Sequence, residues 1–132
     1  SVTSFNELRR EGLAVERWNR LNPTKKPRIT YVEQCLTGRK GPVVASTDYM
    51  KLFADQIRQW VPSKEYTVLG TDGFGRSDSR SKLRSFFEVD RHFVVIATLE
   101  ALVARGEIKP KVVADAIKRF GIDPEKINPL DC

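Results

Sequence analysis

The residues whose types and spacing could do chemistry are concentrated between Tyr66 and Arg80, in the sequence YTVLGTDGFGRSDSR. A short apolar strand leads there into three glycines within six positions, and then into serine, aspartate and arginine. Closely spaced glycines allow positive φ angles and close backbone approach. A strand, a glycine-rich turn and a helix start place ligands or interfaces at the carboxyl edge of an α/β sheet. The candidate site residues are Gly70, Asp72, Phe74, Gly75, Arg76, Ser77, Asp78 and Arg80.

Two kinds of site fit this turn. The amides after Gly75, with Arg76 and Arg80 near a predicted helix N-terminus, could hold a phosphate-like anion. The turn also imitates a dinucleotide fingerprint, but Asp78 stands where a third glycine or alanine belongs, and no acidic residue follows at the end of a second strand. We expect Asp78 to cap the next helix and Asp72 to tie down the turn. The alternative to an anion site is therefore a packing or interface turn.

Other chemistry-bearing residues lack partners at a useful spacing. His92, the only histidine, has no converging ligand or acid, which favours a structural role. Cys35 and Cys132 do not form a Cys-x-x-Cys pair, and we expect Cys35 to be a small core residue. The basic loop Gly38–Gly41 is similar to the GxxG loop of some RNA-binding modules, but a strand follows it instead of a helix. We predict no catalytic, cofactor-binding or metal-binding residue in this chain.

Length and composition indicate one domain over residues 1–132, with 40% hydrophobic and 30% charged residues. No apolar run approaches the ~20 residues that span a bilayer, so no membrane partner is expected. The net charge of +6 is interspersed along the chain, which favours a solvated surface over a nucleic-acid footprint. Two distant cysteines favour a reducing, cytoplasmic setting. Because the chain starts at Ser1 without a methionine, we expect an excerpt of a longer protein.

Helical and strand patterns alternate along the chain. A capping box at Ser4 predicts a short helix that Gly12 ends, before a second helical face over Ala14–Leu21. Short apolar runs predict strands at Pro42–Ser46 and Tyr66–Leu69. Between these strands we expect one helix, capped by Thr47 or Asp48 and running to Trp60.

Three helices are predicted after the glycine turn. They are a helix capped by Ser77 or Asp78, a helix from Asp90 to Arg105, and a helix that starts at Lys109-Pro110 and ends at Gly121. This alternation predicts an α/β fold with a mostly parallel sheet and crossover helices. Two or three strands make a thin sheet, which again suggests that something N-terminal is missing.

The segment Gly70–Ser77 resembles the Gly-x-Asp-x-Phe-Gly-x-Ser signature of the transketolase C-terminal domain family, although Asp78 and Ser79 replace the usual Ala-Pro. The version GTDGFGRSDSR, with the blocks ERWN, ASTDYMK and RGEI in the same order, is similar to homodimeric, bacterial-type pyruvate dehydrogenases. The likeness covers nearly the whole chain. It implies a three-layer α/β/α domain that is truncated at its N-terminal edge.

The resemblance also implies a parent enzyme that uses thiamine diphosphate and magnesium to decarboxylate pyruvate, and that acetylates a lipoyl group on an acetyltransferase partner. In that family the cofactor and catalytic residues belong to two preceding domains. This chain would then be a non-catalytic domain that packs on those N-terminal and middle domains and supports the homodimer. The alternative function is a regulatory small-anion or nucleotide module at Gly70–Arg80.

Overall fold

The computed structural model describes residues 1–131, which form six α-helices around a small parallel sheet. In chain order the elements are α1 Phe5–Leu21, α2 Tyr31–Leu36, β1 Val43–Ser46, α3 Lys51–Asp55, β2 Tyr66–Leu69, α4 Arg80–Phe86, α5 Arg91–Ala104 and α6 Pro110–Phe120. Short 3₁₀ helices cover Arg58–Trp60 and Pro129–Asp131. Within residues 1–131, no helix has the length and apolar character required to cross a membrane.

The sheet separates two helical layers. Strands β1 and β2 run parallel, with Val43 opposite Tyr66 and Ala45 opposite Val68. Because side chains alternate along a strand, these four lie on one face. They join the core around Trp60, to which α1, α2 and the segment after α3 also contribute. Helix α5 contacts both strands without entering that core, and α6 packs on α5. The predicted α/β fold with a parallel sheet is confirmed.

Helix α1 is continuous, so the prediction that Gly12 ends a first helix is wrong. Ser4 does cap it, since its hydroxyl accepts a hydrogen bond from the Glu7 amide. Gly12 is buried in the middle of the helix, where an added Cβ would lie 2.5 Å from Cε2 of Trp60. Glycine is therefore present for close approach to an aromatic ring, at a cost in helix propensity of about 1 kcal/mol.

The predicted helix from Thr47 or Asp48 to Trp60 is also wrong. Helix α3 covers only Lys51–Asp55, and Met50 at its N-cap position makes no side-chain capping bond. The two expected caps are used elsewhere: the Thr47 hydroxyl accepts from the Tyr49 amide, and the Asp48 carboxylate binds Arg84. A hydroxyl bond two residues along the chain stabilises a turn instead of a helix start.

The three C-terminal helices follow the sequence pattern more closely. The Asp90 carboxylate accepts from the amides of His92 and Phe93, so it caps α5 as predicted. Helix α6 begins at Pro110 and ends at Gly121, whose φ of 64° is left-handed. Helix α4 differs from the prediction, because Ser79 occupies its N-cap position and makes no side-chain capping bond.

Candidate functional site

The candidate site lies where three chain segments meet at the carboxyl ends of the two strands. The Thr71 amide donates to the Tyr49 carbonyl at 2.9 Å, which joins the glycine turn to the loop after β1. The Asp72 carboxylate accepts from the Lys51 amide at 3.2 Å. Asp72 thus ties down the turn, and it does so by satisfying a free amide in the first turn of α3, a helix that has no side-chain cap of its own.

The three glycines of the turn meet different requirements. At Gly70 an added Cβ would lie 2.7 Å from the Lys51 nitrogen and the Tyr49 oxygen, so close backbone packing requires glycine there. Gly73 has a φ of 107°, and a Cβ added there would overlap the Pro129 carbonyl oxygen. Nothing lies within 4 Å of a Cβ placed on Gly75. Of the three glycines, Gly73 is the one that lies against the third segment, residues 129–131.

An arginine pair on α4 binds the loop after β1. Arg84 donates to Asp48 through both Nε, at 3.1 Å, and Nη2, at 2.7 Å. Arg80 Nη2 lies 3.8 Å from the same carboxylate. The hydrogen bond from Arg84 lowers the pKa of Asp48 and the nearby positive charges add to that effect, while partial burial opposes them. Asp48 therefore fixes α4 over the carboxyl edge of the sheet.

Asp78 does not cap α4, so that prediction is wrong. Its carboxylate accepts from the neighbouring Ser79 amide at 2.6 Å and lies 3.7 Å from Lys82 Nζ. The guanidinium of Arg76 lies over the ring of Phe86, 4.2 Å from its centroid. The carboxylate of Asp78 thus uses an amide at the start of α4 that an anion would need.

A cleft of about 440 Å³ opens between the glycine turn and α4. Its walls include three arginines and two aspartates: Arg76, Arg80, Arg84, Asp48 and Asp78. The arginines offer hydrogen-bond donors for an anion. However, the Asp48 carboxylate already binds Arg84 and lies near Arg80, and the Asp78 carboxylate faces the same space. Five of the eight predicted site residues line this cleft: Phe74, Gly75, Arg76, Asp78 and Arg80. Gly70, Asp72 and Ser77 do not line it, whereas Asp48 and Arg84, which the sequence did not indicate as site residues, do.

Exposed apolar side chains surround this edge. Phe74 at the tip of the turn is 78% exposed, although its neighbours Asp72 and Gly73 are held by the other segments. Four further exposed apolar residues lie on the segments that meet there or, for Leu52, at the start of α3. With Phe74 they make up what we call the carboxyl-edge patch: Tyr49, Met50, Leu52, Phe74 and Leu130.

The remaining sequence candidates fall outside this site. His92 stacks on Phe120 with ring centroids 4.6 Å apart, as expected for a structural residue. Cys35 is exposed, so the prediction of a core cysteine is wrong; the apolar positions around it on the short helix α2 do not all face the core. Cys132 lies outside the described residues. Among residues 1–131, no group of three or more His, Cys, Asp or Glu side chains could hold a metal ion.

Sequence reasoning missed Asp48 and Pro129 as parts of the site. Asp48 meets Arg84 across 36 residues of chain, and Pro129 meets Gly73 across a longer stretch. Asp48 had a sequence signal of its own, since an acid after a strand can either cap a helix or bind a distant cation. Nothing in the sequence around Pro129 indicates its contact with the turn.

Fold and site together define an α/β domain with a glycine-rich turn at the carboxyl edge of a parallel sheet. Similarity to known proteins shows to which family this domain belongs. Residues 1–90 match the transketolase-like C-terminal domain model. The chain belongs to this family. Over its whole length it is 78% identical to the C-terminal part of the pyruvate dehydrogenase E1 component of Pseudomonas aeruginosa.

Two more relatives carry the same name. The chain is 60% identical over 129 residues to the pyruvate dehydrogenase E1 component of Escherichia coli K12, and 58% identical over 130 residues to that of Haemophilus influenzae. Each match covers 98% of this chain. The chain spans 14% to 15% of the length of these three relatives.

Proposed function

We propose that this chain is the non-catalytic C-terminal domain of a thiamine-diphosphate-dependent pyruvate dehydrogenase, and that it serves subunit architecture and homodimer assembly. The names of its relatives support the identity of the parent enzyme as a pyruvate dehydrogenase. In this proposal thiamine diphosphate and magnesium bind to the other domains, which decarboxylate pyruvate and transfer the acetyl group to a lipoyl acetyltransferase partner. The setting is reducing and cytoplasmic, which suits the exposed, free Cys35 thiol.

The carboxyl-edge patch is the observation that carries the assembly role. A phenylalanine that is 78% exposed loses the free energy of burial, about 1.5–3 kcal/mol, unless a partner covers it. A mobile loop could fold such a side chain back onto the protein. The turn at Phe74 is instead held by the Asp72–Lys51 bond and by the close approach of Gly73 to Pro129. An exposed aromatic on a fixed turn, with other apolar residues nearby, is typical of an interface.

The test is Phe74→Asp in the full-length enzyme. A charge placed at the centre of a buried interface removes an apolar contact and leaves an unpaired carboxylate, so we expect the dimer dissociation constant to rise at least about tenfold. Analytical ultracentrifugation over a concentration series measures it. Leu21→Asp is the matched control, since Leu21 is 60% exposed but lies at the end of α1, outside the three segments. Unchanged dimerisation and unchanged resistance to proteolysis in the Phe74 variant would overturn the proposal.

A second candidate function is a regulatory module for a small anion or a nucleotide at Gly70–Arg80. The observation in its favour is the cleft of about 440 Å³ with three arginines in its walls. The Asp48 and Asp78 carboxylates in the same walls count against it. Its test is Arg76→Ala: if this variant binds every tested phosphorylated metabolite as well as the unmodified protein does, the second candidate fails.

A further inference from the structure

A second cleft, of about 430 Å³, lies at the opposite end of the sheet from the glycine turn. The loop Gly38–Gly41 forms one wall, just before β1, and the segment from Pro62 to Glu65 forms the other, just before β2. The Ser63 hydroxyl donates to the Gly41 carbonyl at 3.1 Å. The Val43 amide donates to the Glu65 carbonyl at 2.9 Å, which continues the ladder between the strands. These bonds hold the two walls together.

The walls of this cleft are strongly basic. Four cationic side chains line it: Arg39, Lys40, Lys64 and Arg105. Among residues 1–131, Glu65 is its one acidic wall residue, and the Glu65 carboxylate binds Arg105 at 3.2 Å. Within residues 1–131, the other three cations make no ion pair. Like charges held around one small space repel each other, and a bound anion would relieve that repulsion.

The backbone of the loop adds donors to this charge. Gly38 and Gly41 have φ angles of 79° and 126°, and nothing lies within 4 Å of a Cβ on either. Conformation, not crowding, therefore requires glycine at both ends of the loop. In the described part of the chain no hydrogen bond occupies the amides of Lys40 and Gly41. Successive free amides beside glycines at positive φ are a common way to bind phosphate oxygens.

The first cleft, between the glycine turn and α4, provides an internal comparison. There the arginines face Asp48 and Asp78, and Arg84 donates through Nε and Nη2 to both carboxylate oxygens of Asp48. In the second cleft, as far as residues 1–131 show, three of the four cations are unpaired and two amides are free. The size of the second cleft is that of a small-ligand site, and an RNA-clamping GxxG loop would instead connect two helices.

We propose that the cleft between Gly38–Gly41 and Pro62–Glu65 binds a small anion with several phosphate groups, such as the phosphate chain of a nucleotide. Three unpaired cations match the charge of a di- or triphosphate better than that of a single phosphate. The Arg105–Glu65 ion pair forms a fixed wall beside the site. This site is separate from the assembly role and from the second candidate at Gly70–Arg80.

The test is a titration of the complete 132-residue chain with inorganic triphosphate, followed by calorimetry and by amide chemical shifts. We expect saturable binding that weakens as salt is added. The shifted amides should cluster at residues 38–41 and 62–65. The double variant Lys40→Glu/Lys64→Glu should bind at least about tenfold more weakly, because it replaces two attractions by two repulsions.

Two controls separate this site from other basic surfaces. Lys25→Glu/Lys26→Glu makes the same change in net charge in the loop before α2 and should bind triphosphate as the unmodified chain does. Arg76→Ala should also leave binding unchanged. The proposal is overturned if either control weakens binding as much as the cleft variant, if triphosphate does not bind, or if an oligoribonucleotide binds more tightly than triphosphate with a steeper salt dependence.

Discussion

Gly73 and Gly75 are two residues apart in one turn, but only Gly73 has a backbone that requires glycine. At Gly73 a φ of 107° and the Pro129 carbonyl both oppose a Cβ, whereas space around Gly75 is open. We predict that Gly73→Ala lowers the free energy of unfolding by more than about 1 kcal/mol, while Gly75→Ala changes it by less than about 0.5 kcal/mol. Chemical denaturation of both variants measures the difference. Equal losses would contradict the role of Gly73 as the contact with residues 129–131.

Ionisation of the buried Tyr66 hydroxyl makes the free energy of unfolding depend on pH in the alkaline range. Its hydroxyl donates to the Ala54 carbonyl at 2.7 Å, and burial, followed by the charge of Asp55, raises its pKa to about 12 while Arg58 opposes the shift. In the unfolded chain the pKa of tyrosine is about 10. Between these values the folded state keeps the proton that the unfolded state loses, so unfolding becomes easier as pH rises.

We therefore predict that the stabilisation from Tyr66 is complete below about pH 10 and is lost as pH rises toward about 12. Denaturation curves across this range should show that the unmodified chain loses stability more steeply than Tyr66→Phe, which has no ionisable hydroxyl. Parallel losses in the two proteins would show that Tyr66 is not the group responsible.

At the scale of elements, α1 is attached to the 3₁₀ helix after α3 through a ring and a carboxylate. Trp60 packs on Gly12, and its indole nitrogen donates to Glu16 at 2.9 Å. Gln59 donates to the same carboxylate oxygen at 3.0 Å. Gly12 and Glu16 are one helical turn apart, so they lie on the same face of α1. One face of α1 therefore determines where the 3₁₀ helix and its tryptophan sit.

This packing predicts a coupled pair of substitutions. Gly12→Ala improves helix propensity by about 1 kcal/mol but places a methyl group against the Trp60 ring, for a net loss of stability. In a Trp60→Phe background the smaller ring leaves room, so the same change should be neutral or stabilising. A double-mutant cycle of unfolding free energies measures this coupling. Independent, additive effects would contradict direct packing between the two residues.

At the scale of the whole molecule, we proposed that the cofactor and the catalytic residues belong to other domains of the parent enzyme. This proposal predicts that the chain alone has no cofactor binding and no activity. If the cofactor belongs to other domains, isothermal calorimetry with the chain, magnesium and thiamine diphosphate should give no saturable heat. The chain should also release no carbon dioxide from pyruvate. The full-length enzyme under the same conditions is the positive control. Saturable binding of thiamine diphosphate to the chain would contradict the non-catalytic assignment.

Local patterns predicted most elements of the molecule because their causes are local. The two strands, the Asp90 cap and the Gly121 stop follow from residue type and short-range spacing. Two of the predictions failed because a distant partner competed. Gly12 indicates a helix end unless Trp60 is known to pack on it. Asp48 indicates a helix cap unless Arg84 is present to bind it.

The sequence by itself determined the family, the parallel α/β arrangement and the location of the glycine turn, since these depend on motifs and on short-range periodicity. Only the tertiary structure decided what each residue of the turn does. Asp72 binds the start of α3, Gly73 meets Pro129 and Phe74 remains exposed. The physical reason is that these contacts join segments brought together by packing, and no local spacing rule encodes contacts between residues so far apart along the chain.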